Sequence, residues 1–328
     1  MARDRRDLRR IPKTMRAAVV ALAGGPAALK VRNLPVPRIS ATEVLIAVEA
    51  AGVGIWDADM RKGWWPEGKP RYPLVLGTDG AGRIAAVGSR VRRLKKGRRV
   101  YCYTFLNPKG GFYAEYVAVA ASKVAPAPRR LDATSAGAVA TVGLTALQGI
   151  DDALKVSRGE SVIVHGATGG VGSIALQLAK WRGARILGTA DGRAGVAFVR
   201  RLGADEAVDG KRKDLAEVAK RFAPDGVDAV FATVGGPGLT ACLDALRKGG
   251  RVAWPNGAEP APRKRAGLRM KAYDAQEGAR QLEKLTRAIE ASRLRVPIAA
   301  RYPLARAANA HRRIEKGHVF GKIVLRIR

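Results

Sequence analysis

The sequence has few cysteines, few acidic residues and no long apolar run. Among its 328 residues are only two cysteines, Cys102 and Cys242. Two cysteines exclude a disulfide framework and a four-cysteine zinc lobe, and they fit a reducing compartment. We find no run of the ~18 apolar residues that suggests a membrane helix. The basic N-terminus lacks an apolar core with a cleavage site, so no secretory signal is predicted. We therefore expect a cytoplasmic protein without a membrane segment.

Acidic residues are outnumbered, with 28 Asp and Glu against 60 Lys and Arg, which gives a net charge of +32. Such a field attracts nucleic acids and phosphate-bearing ligands. The basic clusters at 3–10, 90–99, 211–213 and 263–265 mostly lie between apolar segments, as solvated loop charges do. Aromatic residues are only 5% of the chain and do not interleave with the clusters as a base-stacking surface would. We favour a basic enzyme surface, with weak and sequence-independent polyanion binding, over dedicated nucleic-acid recognition.

The pattern of short segments predicts two domains after a basic N-terminal arm over residues 1–14. From Met15 to about residue 124, short strands broken by Gly and Pro indicate a largely β domain. Between residues 135 and 255, strand-like and helix-like segments alternate, which is typical of a parallel sheet covered on both faces. The expected fold class is therefore α/β.

The rest of the chain is expected to complete the first domain. A helix is predicted over 273–294, and a final strand, GKIVLRI, is expected to return to the β domain. The predicted division assigns 15–124 and 256–328 to the β domain and 125–255 to the parallel-sheet domain.

A glycine-rich turn stands between a strand-like and a helix-like segment in VIVHGATGGVGSIALQLAK (162–180). The spacing G-x-G-x-x-G is filled here by Ala167, Thr168, Gly169, Gly170, Val171 and Gly172. Bare backbone at a helix N-terminus lets a pyrophosphate approach closely. No Lys follows Gly172, which excludes a Walker A loop. We predict dinucleotide binding at these six positions. One face of the helix that follows the turn is expected to lie against the sheet. This face carries Ile174, Ala175, Leu178 and Trp181.

The end of the next strand indicates which dinucleotide binds. In ILGTADGR, Ala190 ends the strand and Arg193 follows shortly after. A neutral residue with a nearby Arg suits a 2′-phosphate better than a free ribose hydroxyl. Asp191 argues the other way, because it could accept hydrogen bonds from the ribose or simply cap the following helix. We favour NADPH over NADH.

The chain resembles the medium-chain dehydrogenase/reductase superfamily, in its zinc-free quinone oxidoreductase (zeta-crystallin-like) branch. The resemblance rests on AGVGIWDADMRKG (51–63), PLVLGTDGAGRIAAVG (73–88), TVGLTALQGI (141–150), the glycine turn and GHVFGKIVL (317–325). It implies a Rossmann-type parallel-sheet domain with a GroES-like β-barrel domain, a homodimer, and reduction of quinones or α,β-unsaturated carbonyl compounds by NADPH. By residue match it also implies cofactor contacts from Thr141, Val234, Gly235 and Lys322.

The chain departs from the family at the metal and substrate positions. Zinc-dependent members carry Cys in the segment matching AGVGIWD and a His-Glu pair in the one matching LGTDG, where this chain has Gly54, Thr78 and Asp79. No metal is therefore expected. The reductase branch commonly has Asn at the position of Gly54 and Tyr near Asp59. The replacement by Gly54 is expected to enlarge the pocket floor and loosen specificity.

The catalytic residues stay open at this level. The proton that completes the reduction can come from water or from a side-chain hydroxyl. The hydroxyl candidates are Tyr101, Tyr103 and Thr104, although packing is the favoured role of each. Three aromatic side chains could wall a flat substrate or anchor a loop: Trp64, Trp65 and Tyr72. His165 is expected to be packed or to lie beside the cofactor. The alternative function is a catalytically weak NADPH-binding sensor or a nucleic-acid-binding protein on the same fold.

Overall fold

The computed structural model describes residues 11–66, 68–211 and 214–328. Most of the predicted N-terminal arm, including the basic cluster 3–10, lies outside these residues. The first part of the chain folds into β1 (Thr14–Val20), β2 (Leu29–Pro35), β3 (Glu43–Val53), α1 (Ile55–Arg61), β4 (Leu74–Val75), β5 (Asp79–Val87), β6 (Arg99–Tyr103), β7 (Tyr116–Ala120) and β8 (Val124–Pro126). Short 3-10 helices lie at Pro26–Ala28, Ala121–Lys123 and Leu304–Arg306.

The remaining elements alternate helix and strand. They are α2 (Ala133–Gln148, continued by a π-helical turn over Gly149–Ala153), β9 (Ser161–His165), α3 (Gly170–Trp181), β10 (Arg185–Ala190), α4 (Gly192–Arg201), β11 (Glu206–Asp209), α5 (Leu215–Phe222), β12 (Val227–Ala232), α6 (Pro237–Asp244), β13 (Leu246–Pro255), β14 (Arg269–Tyr273), α7 (Ala279–Ser292), β15 (Ile298–Pro303), α8 (Ala307–Glu315) and β16 (Lys322–Arg326).

Strand β3 organises the β-rich part. It reads EVLIAVEAAGV, a nearly continuous apolar run, because it pairs with β5, β7 and β16 and is buried along most of its length. The mixed sheet has the order β15-β16-β3-β5-β6-β8, and a separate three-stranded sheet has the order β2-β1-β4. The antiparallel pairing of β16 with β3 confirms the predicted return of the final strand to the first domain.

The second sheet is parallel throughout, with the order β11-β10-β9-β12-β13-β14. This confirms the predicted parallel sheet. The sheet includes β14, a strand that the sequence-based division at residue 255 assigns to the other domain. The predicted helix 273–294 also begins later, at Ala279, because Arg269–Tyr273 forms this edge strand.

Helix α3 lies on the parallel sheet as expected, with one exception. Ile174, Ala175 and Leu178 are buried, whereas Trp181 is 39% exposed. The prediction for Trp181 is wrong because it is the last residue of the helix, where its ring lies under the Arg182 guanidinium at 4.3 Å.

Helix α2 fills the space between the sheets. Among the described residues, Ala133–Ala153 is the one helical stretch long and apolar enough to cross a membrane, and 83% of its apolar window is buried inside the protein. Its apolar residues thus serve the protein core. Its placement brings Thr141 and Val142 next to the glycine turn and the strand ends of the β-rich part.

Candidate cofactor and active site

The glycine turn joins β9 to α3 at the carboxyl edge of the parallel sheet. Gly166, directly after β9, has a φ of +80°. The tight bend therefore uses Gly166 rather than Ala167, which the motif spacing placed in the first slot. Ala167 is buried, and its amide donates to Thr189 O at 2.9 Å. Gly172 provides the close packing: a Cβ there would lie 2.9 Å from Ala167 Cα and nearer still to Gly166 O.

The N-terminus of α3 is open to a ligand. In the described part of the chain no side chain caps this helix, and its N-cap is Gly169. A Cβ on Gly169 would meet no atom nearer than 3.7 Å, so the turn is bare on this side. Unpaired first-turn amides and the positive end of the helix dipole attract phosphate. The residues present therefore fit the pyrophosphate of a dinucleotide.

The strand order places the other predicted residues around the same crevice. Strands β9 and β12 are neighbours in the sheet, but the chain continues from β9 to β10 on one side and from β12 to β13 on the other. Ligands of such sheets bind at the point where the strand order reverses in this way. Ala190 ends β10, and Val234 and Gly235 follow β12. Val234 is 45% exposed, unusual for a large apolar residue of this protein. A Cβ on Gly235 would collide with Pro260. The turn and these strand ends thus share one edge.

Lys322 connects the β-rich part to the turn. It is 4% exposed and its Nζ donates to Val53 O at 3.0 Å. Its stem lies against the turn, since a Cβ on Gly170 would come within 2.9 Å of Lys322 Cδ. The preceding residue, Gly321, donates its amide to Thr168 O at 2.8 Å. Strand β16 and the glycine turn are therefore held in fixed register.

Asp191, the acidic residue that follows β10, has two basic side chains as neighbours. Asp191 Oδ2 lies 3.0 Å from His318 Nδ1 and 3.5 Å from Lys211 Nζ. Asp191 makes no side-chain cap to α4; the first amide of that helix donates instead to Asp209 Oδ2 at 3.1 Å. The helix-cap interpretation of Asp191 is therefore wrong. Arg193 is exposed on the first turn of α4.

Two buried carboxylates lie behind the crevice. Asp79 Oδ2 accepts the Thr141 amide at 3.0 Å, and burial raises the pKa of Asp79 while the Lys322 charge opposes this rise. Asp57 is fully buried as well, and burial raises its pKa to about 7. Sequence reasoning noted Asp79 only at a zinc-ligand position and missed Asp57, since nothing in the local pattern IWDADMR marks a buried acid.

A chain of hydrogen bonds reaches Asp57 from the protein surface. Arg61 donates to Glu315 at 2.8 Å and, through Nη1, to His311 Nδ1 at 3.0 Å. Because a guanidinium only donates, His311 carries its proton on Nε2, 3.2 Å from Tyr113 OH. The Tyr113 hydroxyl then donates to Asp57 Oδ2 at 3.3 Å. Burial lowers the pKa of His311 to about 3, so its ring is neutral. From Arg61 onward, through His311 and Tyr113, the donors point toward Asp57.

Trp56 fills the space that Gly54 leaves. The expectation that Gly54 enlarges the pocket floor is wrong, because a Cβ on Gly54 would lie 2.6 Å from Trp56 Cδ2 and nearer to two other ring carbons. The indole Nε1 donates to Thr78 Oγ1 at 2.7 Å. Counting the volume of residue 54 alone could not show that a ring two residues along the chain folds back onto it.

Other singled-out side chains serve packing. The Tyr101 hydroxyl donates to Leu282 O at 2.6 Å in the core, and Trp65 and Tyr72 pack against the core of the β-rich part. His165 is buried, with Nδ1 2.8 Å from a threonine hydroxyl at position 189, and burial lowers its pKa to about 4. Of the two interpretations of His165, packing fits these contacts. Among the described residues, no three His, Cys, Asp or Glu side chains are grouped to hold a metal ion.

Comparison with known proteins agrees with this architecture. Residues 40–129 match the family described as alcohol dehydrogenase GroES-like domain, and residues 202–325 match the family described as zinc-binding dehydrogenase. These matches confirm the predicted fold class, a Rossmann-type parallel-sheet domain with a GroES-like domain.

Three similar proteins span nearly all of the chain. The quinone oxidoreductase of Mus musculus is 33% identical over 95% of this chain and 98% of its own length. The chloroplastic NADPH-dependent alkenal/one oxidoreductase of Arabidopsis thaliana is 32% identical over 96% of this chain and 80% of its own. The structure of mycobacterial Rv1454c complexed with NADPH has a TM-score of 0.84 and 29% identity, covering 95% of this chain and all of that one. The chain therefore belongs to the medium-chain dehydrogenase/reductase superfamily, in its quinone oxidoreductase (zeta-crystallin) branch, and is an oxidoreductase.

Proposed function

We propose that the protein reduces quinones or α,β-unsaturated carbonyl compounds with NADPH and without a metal. The observation that carries this proposal is the bare glycine turn, with the open amides of α3, close to the side chain of Trp56. Lys322 links the two, because its stem lies against Gly170 and its ammonium lies 5.1 Å from the centroid of the Trp56 ring. Trp56 is partly exposed, whereas Gly54 and Thr78 are buried behind it. When bound, NADPH supplies the hydride.

The surroundings of Trp56 favour an acceptor that is already electrophilic. A simple ketone or aldehyde needs a group that polarises its oxygen, and Lys322, the cation beside Trp56, is only 4% exposed and donates to Val53 O. A quinone or enone needs less help, so binding and orientation in a site shielded from water are the main tasks. The protein residues therefore position the acceptor, and the proton that completes reduction comes from water in this proposal.

The preference for NADPH is supported by the contacts of Asp191. Its carboxylate is paired with His318 and Lys211, so its capacity to accept hydrogen bonds from a ribose is reduced. Arg193 stands exposed on the first turn of α4, two residues after Asp191, where it is available to a 2′-phosphate. We therefore propose NADPH as the physiological reductant, bound by the turn 167–172, the strand ends and Arg193, with Thr141 and Lys322 lining the opposite side.

Replacing Arg193 by alanine is expected to weaken NADPH binding and to leave NADH binding nearly unchanged. Losing a charge-assisted hydrogen bond to the 2′-phosphate costs roughly 1–3 kcal/mol. Titration calorimetry with both cofactors measures this. Arg200→Ala is the matched control, because Arg200 is also exposed on α4 but lies about 10 Å further along the helix. Equal affinity of the unmodified protein for NADPH and NADH would contradict the preference.

A screen of hydride acceptors tests the function itself. NADPH oxidation is followed with 1,4-naphthoquinone, 1,4-benzoquinone, an open-chain enal and an open-chain enone. We expect turnover with quinones or enones and no oxidation of simple alcohols with NADP⁺. Alcohol oxidation would overturn the proposal. Tight NADPH binding without turnover of any acceptor would replace it with the sensor function.

Two further expectations belong to this proposal. The family resemblance favours a homodimer. The net charge of +32 favours weak polyanion binding that falls steeply with salt and does not depend on base sequence.

A further inference from the structure

Gly54 has no conformational reason to be glycine. Its backbone has φ −112° and ψ 162°, which any residue adopts. The reason is space: the Trp56 indole lies where a side chain on residue 54 would begin, with Cδ2 only 2.6 Å from an added Cβ. Gly54 and Trp56 therefore form a fitted pair, in which the missing side chain of one makes room for the ring of the other.

The ring is held in one position by polar neighbours. Its Nε1 donates to Thr78 Oγ1 at 2.7 Å, and Thr78 is itself 2% exposed. The Lys322 ammonium lies 5.1 Å from the ring centroid, within the range of a cation–π contact. With its single N–H group engaged, the indole has only carbon atoms to offer to a further neighbour.

The position of the ring is beside the proposed cofactor turn. Trp56 is partly exposed and packs against the core on the parallel-sheet side, although α1 belongs to the β-rich part. Lys322 links the two: its ammonium contacts the indole, and its stem lies against Gly170 of the turn. An acceptor that approaches the bound cofactor on this side therefore meets the exposed part of this ring.

We propose that Trp56 contacts the acceptor and selects flat ring compounds over open-chain ones. This inference rests on the proposed function, since it assigns the specificity of that same site. Aromatic rings at 4.5–7 Å attract each other beyond the burial of their area, whereas an open-chain enone gains only the area term. The Gly54–Trp56 pair thus sets a preference for quinones, rather than the looser specificity expected from Gly54 alone.

The test compares kcat/KM for 1,4-naphthoquinone and for an open-chain enal. In Trp56→Ala, we expect the ratio of the two values to fall about fivefold, through KM for the quinone. Trp56→Phe keeps a ring and should retain most of the ratio. Gly54→Ala should resemble Trp56→Ala, because the new methyl group displaces the indole. Trp181→Ala is the matched control: Trp181 is 39% exposed at the C-terminal end of α3, away from the turn, and its ring contacts Arg182.

A binding measurement separates this inference from the proposed function. The dissociation constant of 2-naphthol, a flat compound that accepts no hydride, is measured on protein saturated with NADP⁺. We expect it to rise about fivefold in Trp56→Ala and to change little in Trp56→Phe. Should Trp56→Ala not fold, Trp56→Leu serves in both measurements, since it keeps apolar volume and removes the ring.

The outcomes distinguish the two proposals. An unchanged dissociation constant for 2-naphthol in the ring-deleted variant overturns the role of Trp56. An unchanged acceptor ratio overturns it as well, when both acceptors are reduced. If no acceptor is reduced while 2-naphthol binding still depends on Trp56, the proposed reductase function fails and the contact made by Trp56 stands.

Discussion

Gly172→Val is expected to abolish dinucleotide binding. A single Cβ at this position would already lie 2.9 Å from Ala167 Cα and nearer to Gly166 O, and both atoms are backbone that no rotamer change can move. The branched valine side chain must therefore push α3 away from the turn. Because the proposed pyrophosphate site consists of the turn and the first amides of α3, separating them removes the site. Fluorescence titration with NADPH measures the loss.

Gly169→Ala separates a ligand effect from a folding effect. Its Cβ would meet nothing nearer than 3.7 Å, and Gly169 has no positive φ, so the thermal midpoint should stay close to that of the unmodified protein. If a pyrophosphate lies on this bare surface, the added methyl group should still weaken binding severalfold. NADPH affinity that is unchanged in Gly172→Val would refute the assignment of the turn.

The parts predicted correctly from the sequence are those that depend on local pattern. Local hydrophobic patterns mark the apolar strands β9, β10 and β12 and the helices between them. These patterns do not depend on the rest of the chain. Gly172 was identified because its role depends on a turn only seven residues long. The spacing rule assigns the first slot to Ala167, and it could not show that the positive φ of the bend belongs to the preceding residue, Gly166.

Contacts between distant segments were not predictable in this way. The hydrogen-bond chain that ends at Asp57 joins Arg61 to Glu315, 254 residues apart. A charged residue in a helix such as IWDADMR looks solvated, and only the packing of α8 on α1 shows that Arg61 and Asp57 are buried. The Gly54–Trp56 pair is local in sequence, yet its geometry depends on where Thr78 and Lys322 hold the ring. Buried charge and side-chain placement are tertiary properties, and a single sequence gives them no periodic signal.

Lys322→Met should destabilise the protein most strongly at alkaline pH. Lys322 is buried beside Asp79 and Asp57, and its charge lowers the pKa of both carboxyl groups against the effect of burial. Removing one partner of a buried charge group leaves uncompensated charge and costs about 3–5 kcal/mol. Lys30→Met is the control, because Lys30 is exposed on β2 and a surface change usually costs within about 0.5 kcal/mol.

The dependence on pH follows from the direction of the pKa shifts. Both carboxyl groups have folded-state pKa values raised above 3.8, so the folded protein binds protons more tightly than the unfolded chain. The favourable effect of that proton uptake is complete below pH 3.8 and is lost as the pH rises through the folded-state pKa, about 7 for Asp57. Without Lys322 these pKa values rise further, so lowering the pH increases the unfolding free energy of the variant more than that of the unmodified protein.

The deficit of Lys322→Met in unfolding free energy should therefore be smaller at pH 5 than at pH 8. His165 and His311, whose lowered pKa values destabilise both proteins at acid pH, cancel in this difference. Urea unfolding at the two pH values measures the deficit. The double variant Lys322→Met/Asp79→Asn should recover part of the loss at pH 8, because the uncharged amide keeps an acceptor for the Thr141 amide without the buried charge. A deficit that is equal at pH 5 and pH 8, with no recovery in the double variant, would show that Lys322 acts by packing and not by charge.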